Sequence, residues 1–364
     1  MVSVNNFHGN NCLDSRRKSH TMDAKSNRFS FLGVKWAPLS IPIHRRVETL
    51  SMFHYWYMFL LGCVSSFFLV TYLAISRYYI ILLIFATYIY LDRHTPERGG
   101  RRSQWFRKLA VFRYLAEYFP MKLHKTVDLD PNKTYLGGFH PHGIMATGLF
   151  IHFGTEGTYF SELFPGITSH VLTLGGWFNF PLIRDYIMLT GICSVSRPSV
   201  DFLLTQPGHM TCIAVGGAKE SLLSRPGVHK LYLQNRKGFI KRAVTAGACL
   251  VPIYSFGETN MYNQADNPEG SLLKQFQDLA TKYFGFAPPL FHGRGFFNYS
   301  FGLLPHRVKV DTVVGKPIET VKTANPSQEC IDSLHKQYVD GLLQLFEDNK
   351  TKFGIDQKVH LTLL

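Results

Sequence analysis

The ten residues TYLGGFHPHG, 134–143, decide how the chain is read. TYLGGF (134–139) is a short strand-like run, and His140-Pro141-His142-Gly143 follows it as a tight turn held by proline and glycine. Two imidazoles separated by one residue then stand at the carboxyl edge of a strand, where α/β sheets form their sites. Histidine titrates near neutrality, so one of the pair is suited to take a proton from an alcohol that attacks an acyl carbonyl. Two other readings remain open at this point. The histidines fit a turn in which both bond to the backbone, and they fit a metal site. The latter requires further ligands at suitable spacing, but the chain continues Ile144-Met145-Ala146-Thr147-Gly148.

Working outward, MTCIAVGG (210–217), ACLVPIYSFG (248–257) and RVKVDTVVG (307–315) are further strand-like runs ending in glycine. Between them, residues 237–247 place Phe239, Ile240, Ala243 and Val244 on one helical face, with Lys237, Lys241 and Arg242 opposite and Gly247 as a stop. A last helix follows Asn325-Pro326. Asn325 is the expected cap, Gln328 takes the capping-box position, and Ile331, Leu334, Tyr338, Leu342 and Leu345 repeat at helical spacing as core packing. The predicted fold is α/β, a mixed sheet flanked by helices.

Upstream, the composition changes abruptly. Residues 50–91 form an apolar stretch broken at Ser76-Arg77. Roughly 20 apolar residues span a bilayer core, so the first run is long enough and the second falls short. A helical hairpin, or a span plus a re-entrant helix, is the expectation. Residues 1–49 are polar and basic at the start, lack a secretory apolar core and are expected to be disordered. Residues 92–364 are then the catalytic domain. Arg45 and Arg46 precede the hairpin, and Arg93, Arg98, Arg101, Arg102, Arg107 and Lys108 follow it, so both flanks are expected on the cytosolic side. The 92–102 linker is expected to anchor at headgroup depth. On that topology the sequons at Asn132, Asn298 and Asn349 go unglycosylated.

Lys and Arg total 39 against 25 Asp and Glu, a formal charge of +14, which favours a membrane surface, phosphates or nucleic acid. Six scattered cysteines without a CxxC pair argue against a disulfide framework. Cys193, Cys212 and Cys249 read as core residues. A hydrolase would show a GxSxG elbow, and none occurs. A purely membrane-shaping hairpin leaves everything after residue 91 without a role.

The ordered set Tyr118-Phe119-Pro120, HPHG, Gly216-Gly217-Ala218-Lys219-Glu220, RKGFIKRAVTAGACLVPIYSFGE (236–258) and Val313-Val314-Gly315-Lys316-Pro317-Ile318 resembles the type 2 diacylglycerol acyltransferase family, in its monoacylglycerol acyltransferase branch. The match runs from about Trp36 to the C-terminus. The resemblance implies a glycerolipid-acyltransferase-like fold and an integral endoplasmic-reticulum enzyme, found also near lipid droplets, with both termini cytosolic. Its partners would be acyl-CoA, mono- or diacylglycerol and the lipid bilayer, without nucleic acid, cofactor or metal; a homo-oligomer stays open. Within it, His140 or His142 is the expected base and Glu220 a candidate to orient it. More distant glycerophosphate acyltransferases place an Asp five residues after their histidine, whereas this chain has Met145 and Thr147 at that spacing. Pro141 and Gly143 shape the turn, and Gly216 and Gly217 allow backbone N–H groups to approach an oxyanion or phosphate. Lys219 is a candidate substrate-binding residue, and Arg236, Lys237, Lys241 and Arg242 are the candidates for the phosphates of CoA, with a solvated or lipid-facing helix as the alternative. His292-Gly293-Arg294-Gly295 reads as a loop near the same pocket.

Overall fold

A computed structural model describes residues 30–31, 33–38, 40–284 and 288–364. Cys12 and the basic residues of the first 29 positions lie outside the described residues.

Seven strands make the central sheet: β1 (Lys122–Lys125), β2 (Tyr135–His140), β3 (Thr168–Thr173), β4 (Ile192–Ser194), β5 (His209–Ala214), β6 (Cys249–Phe256) and β7 (Asp311–Val314). Their order is β1-β7-β6-β2-β5-β3-β4. The run β6-β2-β5-β3-β4 is parallel, and β7 pairs antiparallel with β6 and parallel with β1. This is the expected mixed sheet. All six residues of the central strand β2 are buried, as both faces of a parallel sheet require. The strands expected around 134, 210, 248 and 307 are present. The sequence pattern leaves out β1, β3 and β4: β4 has only three residues, and polar residues interrupt the apolar alternation of β1 and β3.

Helices cover both faces. The ones used below are α1 (Ile43–Ile75), α2 (Tyr79–Leu91), α3 (Ala110–Tyr118), α4 (Thr147–Gly154), α5 (Ile183–Leu189), α6 (Arg197–Leu203), α7 (Gly217–Ser221), α8 (Gly238–Ala246) and α9 (Gln328–Lys350). Tyr135 and Phe139 of β2 join a core with the start of α1, α3 and α4, while Leu136 joins one with α6, α8 and α9. That division is the two-residue alternation of a strand. Gly247, at φ 78°, stops α8 as expected. The cap of α9 is a correction: the Ser327 hydroxyl, not Asn325, accepts from the Cys330 N–H. With Ser327 in the capping position, Gln328 is the first helical residue and its amide donates to Asp332.

The N-terminal part is also corrected. Residues 34–36 pair with other segments, α1 begins at Ile43, and Glu48, Met52 and Tyr55 are buried. The disorder expected up to 49 therefore gives way over residues 43–49 to a helix rooted in the domain, because buried Glu48 pairs with Arg307, His44 meets Glu117 of α3, and Met52 and Tyr55 join the core just beyond. Beyond a single π turn at Tyr57–Leu61 the surroundings change. Phe67, Phe68, Ile75, Ile80 and Ile84 are each more than half exposed. Helix α1, 33 residues, is long and apolar enough to cross a membrane. It turns at Ser76, and α2 returns to the same patch that α1 leaves: Ser66 donates to the Pro181 carbonyl at 3.0 Å, and Tyr88 to Asp185 at 2.7 Å.

The linker after α2 does not simply face lipid headgroups. Arg101 bridges Asp92 and Asp185, and Arg184 bonds Asp92. Arg107 is fully buried, donating to the Phe153 and Thr190 carbonyls, Ser169 and Glu156. The two terminal nitrogens of the guanidinium meet carbonyls, a hydroxyl and a carboxylate, while Nε is buried without a partner among the described residues. Arg101 and Arg184 clamp the hairpin base to the domain.

Candidate active site

The site forms where β2 ends. His140 is its last residue and is fully buried. Tyr338 of α9 donates to the Gly138 carbonyl at 3.1 Å, so its oxygen accepts from His140 Nε2 at 3.0 Å. That fixes His140 as the Nε2–H tautomer, with Nδ1 buried and without a partner. Burial pushes its pKa down to about 3, so the ring stays neutral. Tyr338 reaches the strand because residue 138 is glycine; a Cβ there would overlap the phenol oxygen.

His142 is placed differently. It is only partly buried. Its Nδ1 lies 3.1 Å from the Gly143 carbonyl and donates to it, leaving the Nε2 lone pair unengaged among the described residues. Burial again lowers the pKa from its ordinary value. The turn has φ 65° at Gly143, where a Cβ would also press to 2.8 Å of Glu258 Cγ; both conditions demand glycine. Ala146 N donates to the His142 carbonyl, while the N–H groups of Gly143 and Ile144 make no hydrogen bond among the described residues. Tyr55 of α1 donates to the Met145 carbonyl at 3.1 Å, so the root of the hairpin touches this loop.

Two buried carboxyls flank the turn. Glu220 does not meet an imidazole: Oε1 accepts from the main-chain N–H of His142 at 2.7 Å and Oε2 from that of Tyr232 at 2.8 Å. It positions His142 through the backbone. Burial raises its pKa to about 7 against the pull of those two N–H groups and Arg236. Gly216 lies directly beneath Glu220 and leaves room for it, while Gly217, at φ 61°, faces open space. Pro141 is buried between the two histidines.

The model named "Diacylglycerol acyltransferase" matches residues 70–364. The chain belongs to the diacylglycerol acyltransferase family. It is 46% identical to 2-acylglycerol O-acyltransferase 1 of Bos taurus over 89% of this chain and 97% of that one. The Homo sapiens protein of the same name is 44% identical over 91% and 99%. Diacylglycerol O-acyltransferase 2 of Homo sapiens is 42% identical over 93% and 87%. Among solved structures, the 1-acyl-sn-glycerophosphate acyltransferase PlsC of Thermotoga maritima aligns over 83% of this chain and 96% of its own, with 11% identity and a TM-score of 0.38. Membership makes this chain an acyltransferase of acylglycerols.

In this diacylglycerol acyltransferase family member, two groups at the turn escaped the sequence reading. Glu258 ends the quoted 236–258 motif. Its carboxyl accepts from Gly148 N at 3.0 Å, and burial raises its pKa to about 8 despite that bond. Tyr338 was counted as core packing alone. A glutamate right after a glycine at a strand end was a usable signal for the first, whereas nothing in a helical stripe marks one tyrosine as a partner of His140. The basic candidates separate into two groups. Lys219 and Arg236 lie over the Tyr232 ring near Glu220, and Arg236 also donates to the Gly216 carbonyl at 3.3 Å. Lys237 pairs with Asp332 and Arg242 with Asp201 on the outside of α8, while Lys241 is exposed. His292 lies apart in a small ribbon with residues 263–264, and Arg294 packs on Tyr299.

Proposed function

We propose that the protein transfers an acyl chain from acyl-CoA to a hydroxyl of 2-monoacylglycerol, in triacylglycerol synthesis, with His142 as general base. The observation that carries this reading is the free Nε2 lone pair of a neutral His142 whose other nitrogen is held by a carbonyl. Nε2 takes the proton of the acceptor hydroxyl as its oxygen attacks the thioester carbonyl. The Gly143 and Ile144 N–H groups stabilise the oxyanion, the C–S bond breaks, and the thiolate recovers the proton from the imidazolium. Ester and free CoA result, without an acyl-enzyme or metal. Burial raises the pKa of Cys193 and Cys249 and holds Cys212 well above its ordinary value, which supports a transfer without a thiolate nucleophile. His140 serves the fold, since its partner is Tyr338 and no surface reaches it.

The hairpin supports a monotopic insertion into the endoplasmic-reticulum membrane. Ser66 and Tyr88 both sit on the 181–185 patch, so the ten residues from Ser66 to Ile75 rise about 15 Å at 1.5 Å per residue, half of a bilayer core of about 30 Å. Both termini then lie on the cytosolic side and Asn132 and Asn298 carry no glycan. An acceptor dissolved in that leaflet meets the turn where Tyr55 touches it. A second reading, diacylglycerol as the preferred acceptor, is favoured by the 42% identity to diacylglycerol O-acyltransferase 2. Microsomes supplied with labelled oleoyl-CoA decide between them: kcat/KM is higher for 2-monoacylglycerol than for diacylglycerol, and equal or better turnover of diacylglycerol reverses the assignment.

A further inference from the structure

A cavity of about 350 Å³ opens between α6 and α8, within the range of about 300–1,000 Å³ common for ligand pockets. Its floor is apolar: Leu136, Leu172 and Ile213 from three adjacent strands, with Val200 and Phe239 as walls. Arg197, Lys241 and Arg242 stand at its rim. Leu136, Gly138 and His140 share one face of β2 by strand alternation, so the cavity and His140 lie on the same side of the sheet. Ile213 is in register with Gly138, and Leu172 follows Val171, which is in register with Cys212. At about 4.8 Å between strands, the floor thus extends about 10 Å sideways from β2 at the level of Gly138, two residues before His140.

The charges on the rim are unevenly matched. Arg242 holds Asp201 at the surface, an exposed pair worth about 0.2–1 kcal/mol that a phosphate readily replaces. Arg197 and Lys241 are exposed and make no ion pair or side-chain hydrogen bond among the described residues. An apolar floor beneath two unmatched cations suits a ligand with an aromatic or aliphatic body and several phosphate charges.

We propose that this cavity holds the nucleotide end of the acyl-CoA donor, with Arg197 and Lys241 on its phosphates, so that the pantetheine arm runs along the sheet edge to the thioester at His142. This rests on the proposed transfer from acyl-CoA and adds to it a site and a residue, Arg197, that no family motif marked.

The test uses the full-length protein purified in detergent. Arg197→Glu and Lys241→Glu should each raise KM for oleoyl-CoA about tenfold, and Arg197→Lys should stay near wild type. The difference should vanish with oleoyl-pantetheine, which lacks the nucleotide. Ile213→Phe should raise KM equally for octanoyl- and oleoyl-CoA; a penalty confined to the long chain would mean that the cavity holds the acyl tail and would overturn the proposal. So would unchanged KM in both charge reversals, including the case where they lose only affinity for vesicles containing anionic phosphatidylserine. Equilibrium binding of desulfo-CoA provides a readout without turnover. If wild type binds it and the charge reversals do not, the site stands even where no transfer to monoacylglycerol is seen, and only the proposed function fails.

Discussion

The end of strand β2 and the turn just beyond it carry the same side chain in opposite settings. His140 is sealed under α9, its Nε2–H held by Tyr338 and its other nitrogen without a partner. His142, two residues on, is partly open, with one nitrogen on a carbonyl and the other free. Two imidazoles in one four-residue motif therefore have different work: the inner ties the strand to the last helix, and the outer presents a lone pair. The division breaks if both respond alike to mutation. We expect His142→Ala to lower kcat by about 10²–10⁴-fold, the range of a lost general base, with little change in KM for acyl-CoA or in membrane insertion. His140→Ala should instead reduce folded protein, seen as a lower detergent Tm, with the activity of the surviving fraction closer to wild type. Full activity in His142→Ala would reassign the base.

Glu220 sharpens the comparison, because it acts on His142 only through the backbone. Glu220→Gln keeps one acceptor but turns an amide N–H₂ toward one of the two N–H groups, leaving that donor unmatched in a buried place at a cost of about 1–3 kcal/mol. We expect kcat to fall about tenfold, less than for His142→Ala, with KM for both substrates nearly constant. A fall in KM affinity without loss of kcat would place Glu220 on substrate instead. Tyr338→Phe is milder still. It removes one phenol bond to the Gly138 carbonyl and one from His140, so Tm should drop by an amount matching about 1–2 kcal/mol while kcat changes less than threefold.

How far the sequence showed this division depends on the range over which each contact acts. Strand β2, its turn and α8 follow from local pattern: apolar alternation, a proline–glycine turn, a helical stripe with a glycine stop. The mixed sheet followed from four such strands and the ordered motifs. What local pattern omitted was set by distant partners. Tyr338 lies 198 residues from His140 and looks like any other member of its stripe. Arg107 has the charge of an interfacial arginine, yet the carbonyls that bury it come from residues 153 and 190. Residues 43–49 look polar, yet α3 supplies the surface that orders them. Glu220 was legible as a candidate residue, but its contact with the main-chain N–H of His142 was not, since which atoms meet depends on the turn geometry.

The smallest expected effect concerns Glu258, which presses on the outer turn from behind Gly143 and Gly148. Its pKa is raised to about 8 by burial, against about 4.5 in the unfolded chain, so between those values the folded state binds a proton that the unfolded state has released. Stability therefore declines as pH rises from about 4.5 to about 8 through this group, and above pH 8 the full penalty of a buried carboxylate is present. Glu258→Gln keeps a neutral side chain of the same shape that still accepts from Gly148 N. It should flatten that decline, so that its detergent Tm, matched to wild type near pH 5, exceeds it at pH 8.5, with kcat at pH 6.5 within about twofold. With His142 as the proposed base, the acid side of activity should be set separately: its pKa is lowered from the ordinary value, so activity should persist below pH 6.5 before protonation removes the base, and the same acid limb should appear in Glu258→Gln. An acid limb that moves with the Glu258 substitution would make the carboxyl, rather than the outer histidine, the group whose ionisation governs turnover.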